Sequence, residues 1–140
     1  MQEQPAAELD LTGTHVLVAE DNELNMEILQ TFLQDFGCIP DGAVNGREAV
    51  EKFSQSAPGY YRIIFMDVMM PVMGGLEATH CIRTLGRADS ATVPIVAVSA
   101  NAFDEDIKRS LASGMTAHLS KPIEPAKLKK TLLQLLKADA

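Results

Sequence analysis

Glu20 and Asp21, Asp67, Ser99 and Lys121 are the side chains of this sequence whose types and placement could do chemistry together. Each stands at or just behind the end of a short apolar run, the runs being 15–19, 62–66, 94–98 and 117–119. Runs lying side by side in one direction would bring three carboxylates, a hydroxyl and an ammonium to a single rim. Two like charges about 4 Å apart repel by about 4 kcal/mol at an effective dielectric of roughly 20, so such a rim calls for a cation. Mg²⁺ suits it, because this ion takes one or two carboxylates and keeps positions open for water and phosphate oxygens. Lys121 adds a mobile point charge able to pair with a phosphoryl group or with Asp67. Ser99 offers one hydroxyl donor to a phosphoryl oxygen. Taken singly, each residue is ordinary. An acid behind a strand is most often a turn former or a helix cap, and Asn22 with Glu23 reads as the cap and first turn of a helix. A lone lysine is usually a solvated surface residue and a lone serine a loop residue. The coincidence of all of them behind successive apolar runs carries the inference.

The elements that must position these residues alternate along the chain. Residues 1–13 are polar, rich in Pro, Ala and Glu and without periodicity, and read as a linker or tail, leaving 14–137 as one domain. After the first strand, Leu24, Ile28, Phe32, Leu33 and Phe36 recur at helical spacing, with Gly37 where a C-cap belongs. A weak strand over 38–44 is interrupted by Pro40 and Asp41-Gly42, and Ala49, Val50 and Phe53 mark a short helix ending before 54–59. The most apolar strand, 62–66, stops on Asp67, and a loop with Pro71 and Gly74-Gly75 leads to a helix over about 76–85. Behind the fourth strand comes a helix over about 103–113 closed by Gly114, then the short strand 117–119. The last helix spans 123–137, with Leu128, Leu132, Leu135 and Leu136 on one face. Five strands alternating with five helices, the strands continuously apolar, predict an α/β fold: an open, doubly wound parallel sheet covered on both faces. In such sheets ligands bind beyond the carboxyl ends of the strands.

Composition narrows the classes. With 140 residues, 46% hydrophobic and 22% charged, the chain is a single globular domain rather than a disordered one. Twelve basic against nineteen acidic residues give a net charge of −7, which points away from a nucleic-acid partner. No apolar run approaches the roughly 18 residues of a membrane span, so no direct membrane contact is expected. The stretch Met1 to Asp10 lacks the basic and apolar regions of a signal peptide. Cys38 and Cys81 lack metal-ligand spacing and fit a reducing, cytoplasmic setting.

At this point the sequence resembles the receiver domain of two-component response regulators, the fold of the bacterial chemotaxis regulator. The likeness covers about 14–136, and its motifs are Val-Leu-Val-Ala-Glu-Asp-Asn (16–22), Met-Asp-Val-Met-Met-Pro (66–71), Met-Gly-Gly (73–75), Val-Ser-Ala (98–100) and Leu-Ser-Lys-Pro (119–122). The resemblance implies a flavodoxin-like five-stranded parallel sheet in the order 2-1-3-4-5. It implies that Asp67 is the phosphoacceptor, attacking the phosphorus of a phosphohistidine to form an aspartyl phosphate. Asp21 would hold Mg²⁺ directly and Glu20 through water, with Asp67 and the Met69 backbone carbonyl completing the protein ligands; Mn²⁺ would substitute. Lys121 would bind the phosphoryl group, Ser99 would swing toward it, and the Lys121–Pro122 peptide would be cis. In the family an aromatic residue three positions before the lysine fills the space that the serine vacates. That position holds His118 rather than Tyr or Phe. Two readings of His118 stay open, a switch residue or a histidine with no switching part. Met69 and Asn101 occupy the family's hydrolysis-tuning positions, and a bulky apolar Met69 is expected to hinder the attacking water and give a long-lived phosphoryl state. His15 and His80 match no motif.

Residues 11–13, Asn22 and Asn25, 69–78 and 94–102 look like the receivers of hybrid histidine kinases. In that reading the chain is a fragment with a kinase core ahead of residue 1, tethered through its parent chain to the membrane where the kinase is membrane-bound. The rival is a stand-alone single-domain regulator, and a further alternative is a pseudo-receiver that binds without phosphorylation. The expected partners are a histidine kinase or a histidine phosphotransfer domain, with a phosphorylation-linked homodimer as a further state and the 103–113 and His118 region as output face. The chain carries no ATP-binding signature, so the only catalysis expected of it is its own phosphorylation and dephosphorylation. Other classes fit less well. An aspartyl-intermediate phosphatase needs Asp-x-Asp after its first strand, where Glu20-Asp21-Asn22 stands. An FMN site needs a hydroxyl-rich loop there, and a dinucleotide-binding domain needs GxGxxG.

Overall fold

Val16, Leu17 and Val18 show why the apolar runs become central strands, since successive side chains enter the cores on opposite faces and all are fully buried. In a computed structural model, which describes residues 10–100 and 104–137, the strands are β1 (His15–Ala19), β2 (Ile39–Ala43), β3 (Ile63–Asp67), β4 (Ile95–Ser99) and β5 (Ala117–Ser120). Between and after them run α1 (Glu23–Asp35), α2 (Gly46–Gln55), α3 (Gly75–Arg83), α4 (Asp104–Ala112) and α5 (Pro125–Lys137). The sheet is parallel throughout and ordered β2-β1-β3-β4-β5, as expected. On one face Val16, Val18, Ile63, Phe65, Val96 and Val98 meet Leu29 and Leu33 of α1 and Leu128, Leu132 and Leu136 of α5. On the other, Leu17, Ala19, Ile64, Met66, Ile95 and Ala97 meet Ala49 and Phe53 of α2 and Ala78 and Ile82 of α3. Among the described residues no helix is long and apolar enough to cross a membrane.

Local chemistry sets the helix ends. Asn22 caps α1, its side chain accepting from the Asn25 amide at 2.9 Å. Asn45 caps α2 from the Glu48 amide at 2.8 Å, while the Glu48 carboxylate accepts from the Val44 amide at 3.1 Å. Gly37 and Gly114 leave α1 and α4 at φ of 93° and 109°, where a side chain would be strained.

Several sequence expectations shift, α3 among them, which ends at Arg83 instead of about 85. Helix α5 begins at Pro125 instead of 123, because a proline has no amide to lose at the first helical position. The body also takes in part of the expected tail: Leu11 is only 4% exposed and belongs to the core on the α1 side. Residues 1–9, Asn101 and Phe103 lie outside the described residues. In α1 the periodic set divides, since Leu29 and Leu33 face the sheet while Leu24 (64% exposed) and Ile28 stand open. A one-residue step turns a helix by about 100°, so a stripe ending at Ile28 does not share the face of Leu29. Finally, α2 runs through Ser54 and Gln55.

Arg87, in the α3–β4 loop, accounts for that extension. Its Nη1 donates to the carbonyls of Phe53 (2.8 Å), Ser54 (3.3 Å) and Ser56 (2.7 Å), satisfying the end of α2 from more than thirty residues away. The guanidinium lies 4.5 Å from the Phe53 ring centroid, and Asp89 grips it at 2.9 and 3.0 Å while accepting from the Gly59 amide. The Arg87 hydrogen bonds, with smaller help from the Gly59 amide, hold the Asp89 carboxyl below its ordinary value of 3.8 despite partial burial. Replacing Arg87 by Ala removes the cap, the stacking and the pair, and is expected to lower the unfolding free energy by about 1–3 kcal/mol, read as a fall in the urea midpoint at constant m-value. A folded value below the unfolded one stabilises at higher pH. The Asp89 share of the loss is therefore present above pH 3.8 and fades as pH falls below it.

Candidate functional site

The parallel sheet carries the carboxyl ends of β1, β3, β4 and β5 to one rim. Glu20 and Asp21 follow β1 directly, Asp67 and Ser99 are the last residues of β3 and β4, and Lys121 follows β5. Carboxylate oxygens of Glu20, Asp21 and Asp67 lie within 4.8 Å of one another, so they could share one small cation. Glu20 and Asp67 are buried, 3% and 4% exposed, while Asp21 faces solvent. The Lys121 ammonium stands between the buried pair, 3.0 Å from Glu20 Oε1 and 3.0 Å from Asp67 Oδ2. Its own amide donates to the Ser99 carbonyl at 2.9 Å, which ties the lysine to the buried Ser99. The Lys121–Pro122 peptide is cis.

The remaining carboxylate oxygens are fixed from the backbone. The Met69 amide donates to Asp67 Oδ1 at 3.2 Å and the Asn22 amide to Glu20 Oε2 at 3.1 Å. The loop behind Asp67 is folded tightly. Val72 sits at φ 68°, with the Met73 amide donating to the Pro71 carbonyl at 2.6 Å, a γ-turn of the strained hand for a β-branched residue. Gly75 opens α3 so close to Asp67 that a Cβ there would collide with the Asp67 carbonyl, and its amide donates to the Val68 carbonyl at 3.0 Å. Gly46, opening α2, presses equally closely on the Met73 carbonyl.

Electrostatics follow from this burial. Burial raises the Glu20 carboxyl above its ordinary value of 4.5; the Lys121 and Asn22 contacts pull against it and the Asp67 charge adds to it. Burial disfavours the charged lysine, but the hydrogen bonds and charges of Asp67 and Glu20 outweigh it and hold the ammonium above its ordinary 10.5.

Glu20, Asp21, Asp67 and Lys121 meet here with Ser99 at the end of the neighbouring strand, whereas His118 lies on β5 beside Ala97 with its Nε2 buried and unpartnered among the described residues. Apart from Met69, the sequence does not mark the surroundings. A cavity of about 150 Å³ beside Lys121 is lined by Glu20, Asn25, Ile28, Val98, Pro122 and Ile123. The exposed Leu24 stands on α1 close by in sequence, and Met69 and Val72, 75% and 72% exposed, lie on the opposite loop. The only signal in the sequence was apolar residues in excess of what one helix face needs.

The profile of the response regulator receiver domain family matches residues 16–133. A hybrid signal transduction histidine kinase of Dictyostelium discoideum, kinase L, is 38% identical over 118 residues, which span 84% of this chain and 7% of the kinase. The receiver domain of the Pseudomonas aeruginosa sensor histidine kinase PA1611, solved with magnesium in its active-site cleft, superposes with a TM-score of 0.80 at 31% identity, covering 90% of this chain and 99% of that one. The Saccharomyces cerevisiae Ssk1 receiver, solved with the histidine phosphotransfer protein Ypd1, gives a TM-score of 0.83 at 33% identity and 93% coverage of both chains. The chain belongs to the response regulator receiver family.

Replacing Lys121 by Met strips the shared cation from two buried carboxylates. The expected loss of stability is about 1–3 kcal/mol at pH 7, below the figure for a fully buried pair because the lysine is partly solvated. Glu20 titrates above its unfolded value, so its charge opposes folding as pH rises past 4.5. The lysine's contribution is present below pH 10.5. The gap between wild type and Lys121→Met is therefore widest near neutrality and narrows toward pH 4.5, measured by urea unfolding across that range.

Proposed function

We propose that this receiver accepts a phosphoryl group on Asp67 from the phosphohistidine of a histidine kinase or histidine phosphotransfer domain, with Mg²⁺ held by Glu20, Asp21, Asp67 and the Met69 backbone carbonyl. Mn²⁺ substitutes. The observation that carries the reading is a buried acid at a strand end that shares one lysine with Glu20 at 3.0 Å and lies within metal-sharing distance of Asp21. Asp67 attacks the phosphorus, the P–N bond breaks, and the imidazole leaves with the bonding pair. The bound cation supplies neutralisation of the charge on the phosphoryl oxygens. The Met69 amide keeps the acid aligned, Lys121 exchanges its Asp67 pairing for a phosphoryl oxygen, and Ser99 turns its hydroxyl toward the same group. His118 then follows Ser99, a reading supported by its Nε2, which is buried and without a partner among the described residues. Catalysis by this chain is confined to its own phosphorylation and dephosphorylation.

The donor docks over the rim. Leu24 and Ile28 of α1 with Pro122 and Ile123 give an apolar margin beside the acidic centre, the character of a helix-binding surface, and the likeness to a receiver solved with Ypd1 supports a phosphotransfer partner. The chain's match to a small part of a hybrid kinase supports origin as a segment of such a kinase, working in the cytoplasm, where Cys38 and Cys81 stay free thiols. Intact-mass spectrometry after acetyl phosphate treatment tests the reading. A phosphoryl adduct is expected with Mg²⁺, absent with chelator and absent in Asp67→Asn. An intact fold with no adduct would favour a receiver that signals by binding alone.

A further inference from the structure

Six of the seven methionines of the chain fall within the described residues, and they are unequally protected. Met66 and Met115 are buried, Met26, Met70 and Met73 are half-buried, and Met69 is 75% exposed. The thiols compete poorly: Cys38 is buried, which pushes it up to about 11, and Cys81 is partly covered. Among the described residues the most exposed sulfur-bearing side chain is therefore also the one anchored on Asp67, through the Met69 amide at 3.2 Å from Oδ1. The turn at Val72 and the Gly75 amide bond to Val68 pin the rest of that loop, so the Met69 side chain leaves a fixed backbone at the water-facing mouth of the site.

We propose that Met69 is a modification site, converted by a hydroperoxide to its sulfoxide, and that the sulfoxide shortens the life of the phosphoryl group on Asp67. The inference rests on the reading of Asp67 as phosphoacceptor. The thioether sulfur attacks the terminal peroxide oxygen, the O–O bond breaks, and sulfur is oxidised by two electrons as hydrogen peroxide is reduced to water, or an organic hydroperoxide to its alcohol, the leaving oxygen keeping or gaining the proton. A thioether is a weak hydrogen-bond acceptor, whereas the sulfoxide oxygen is a strong one. At the mouth of the site that oxygen accepts a hydrogen bond from water and orients it for attack on the acyl phosphate, which the weakly accepting thioether does poorly.

The test treats wild type and Met69→Leu with hydrogen peroxide, removes the peroxide with catalase, phosphorylates with acetyl phosphate and Mg²⁺, desalts, and follows adduct decay by intact mass. Each protein is compared with itself before and after peroxide, and peptide mapping locates the added oxygen. Expected are oxygen at Met69 ahead of the other five described methionines and a decay rate raised about threefold, a small share of the roughly 100-fold a well-placed proton acceptor supplies. Met69→Leu should show no change, and methionine sulfoxide reductase should restore the slow decay. Oxygen appearing first at another described methionine, or equal decay before and after oxidation of Met69, overturns the inference while leaving Asp67 phosphorylation standing. An untreated protein that takes no phosphoryl group overturns the reading beneath it.

Discussion

The Lys121 ammonium, set 3.0 Å from each of two buried carboxylates, is the contact on which the rest of the site depends. Glu20 and Asp67 are deep enough that their charges would oppose folding if left alone, and the lysine balances them while remaining partly in water. Bringing it there requires the whole sheet. Glu20 arrives from β1 and Asp67 from β3, and Lys121 from β5 at the sheet's edge, linked across β4 by its amide bond to the Ser99 carbonyl. The parallel order β2-β1-β3-β4-β5 is thus the arrangement that lets strands far apart in sequence deliver one cation to two acids.

Around that ion group the structure leaves an unequal frame. On one side the loop from Asp67 to α3 is locked by the Val72 turn and by glycines that press against main-chain carbonyls, so the backbone near the acid has little freedom. On the other, α1 leaves Ile28 uncovered beside the cavity at Lys121, with Leu24 exposed one turn earlier on the same helix. A rigid, charged centre with an apolar margin is suited to receive a partner that must bring a reactive group to one fixed oxygen. Any added charge at Asp67 would disturb the balance held by Lys121, and the adjoining strands are β4, which ends on Ser99, and β5, where His118 pairs with Ala97.

Much of this was legible in the sequence, for a physical reason. Strands buried on both faces must be continuously apolar, so 15–19, 62–66 and 94–98 stood out, and the polar residues that ended them had to be either turn formers or site residues. What stayed hidden was settled by contacts between distant segments. The end of α2 is set by Arg87, a residue no local pattern connects to Phe53. Leu24 and Ile28 keep helical spacing with the core residues yet turn away from them, because period alone does not say which of two adjacent stripes meets the sheet. Leu11 looks like tail composition but fills a gap in the α1-side core. The buried nitrogen of His118 follows from strand register, which is a property of pairing and not of the strand itself.

The acids at the rim are arranged to share one divalent cation. Scanning calorimetry of wild type and Asp21→Asn, with and without MgCl₂ at neutral pH, tests it directly, since Asp21 is exposed and its replacement leaves the packing intact. At a free Mg²⁺ concentration about 100 times the Kd, wild type should gain about 2.7 kcal/mol of stability, seen as a higher Tm, and Asp21→Asn little or none. A wild-type Tm that does not move with Mg²⁺, or one that rises equally in Asp21→Asn, would contradict it.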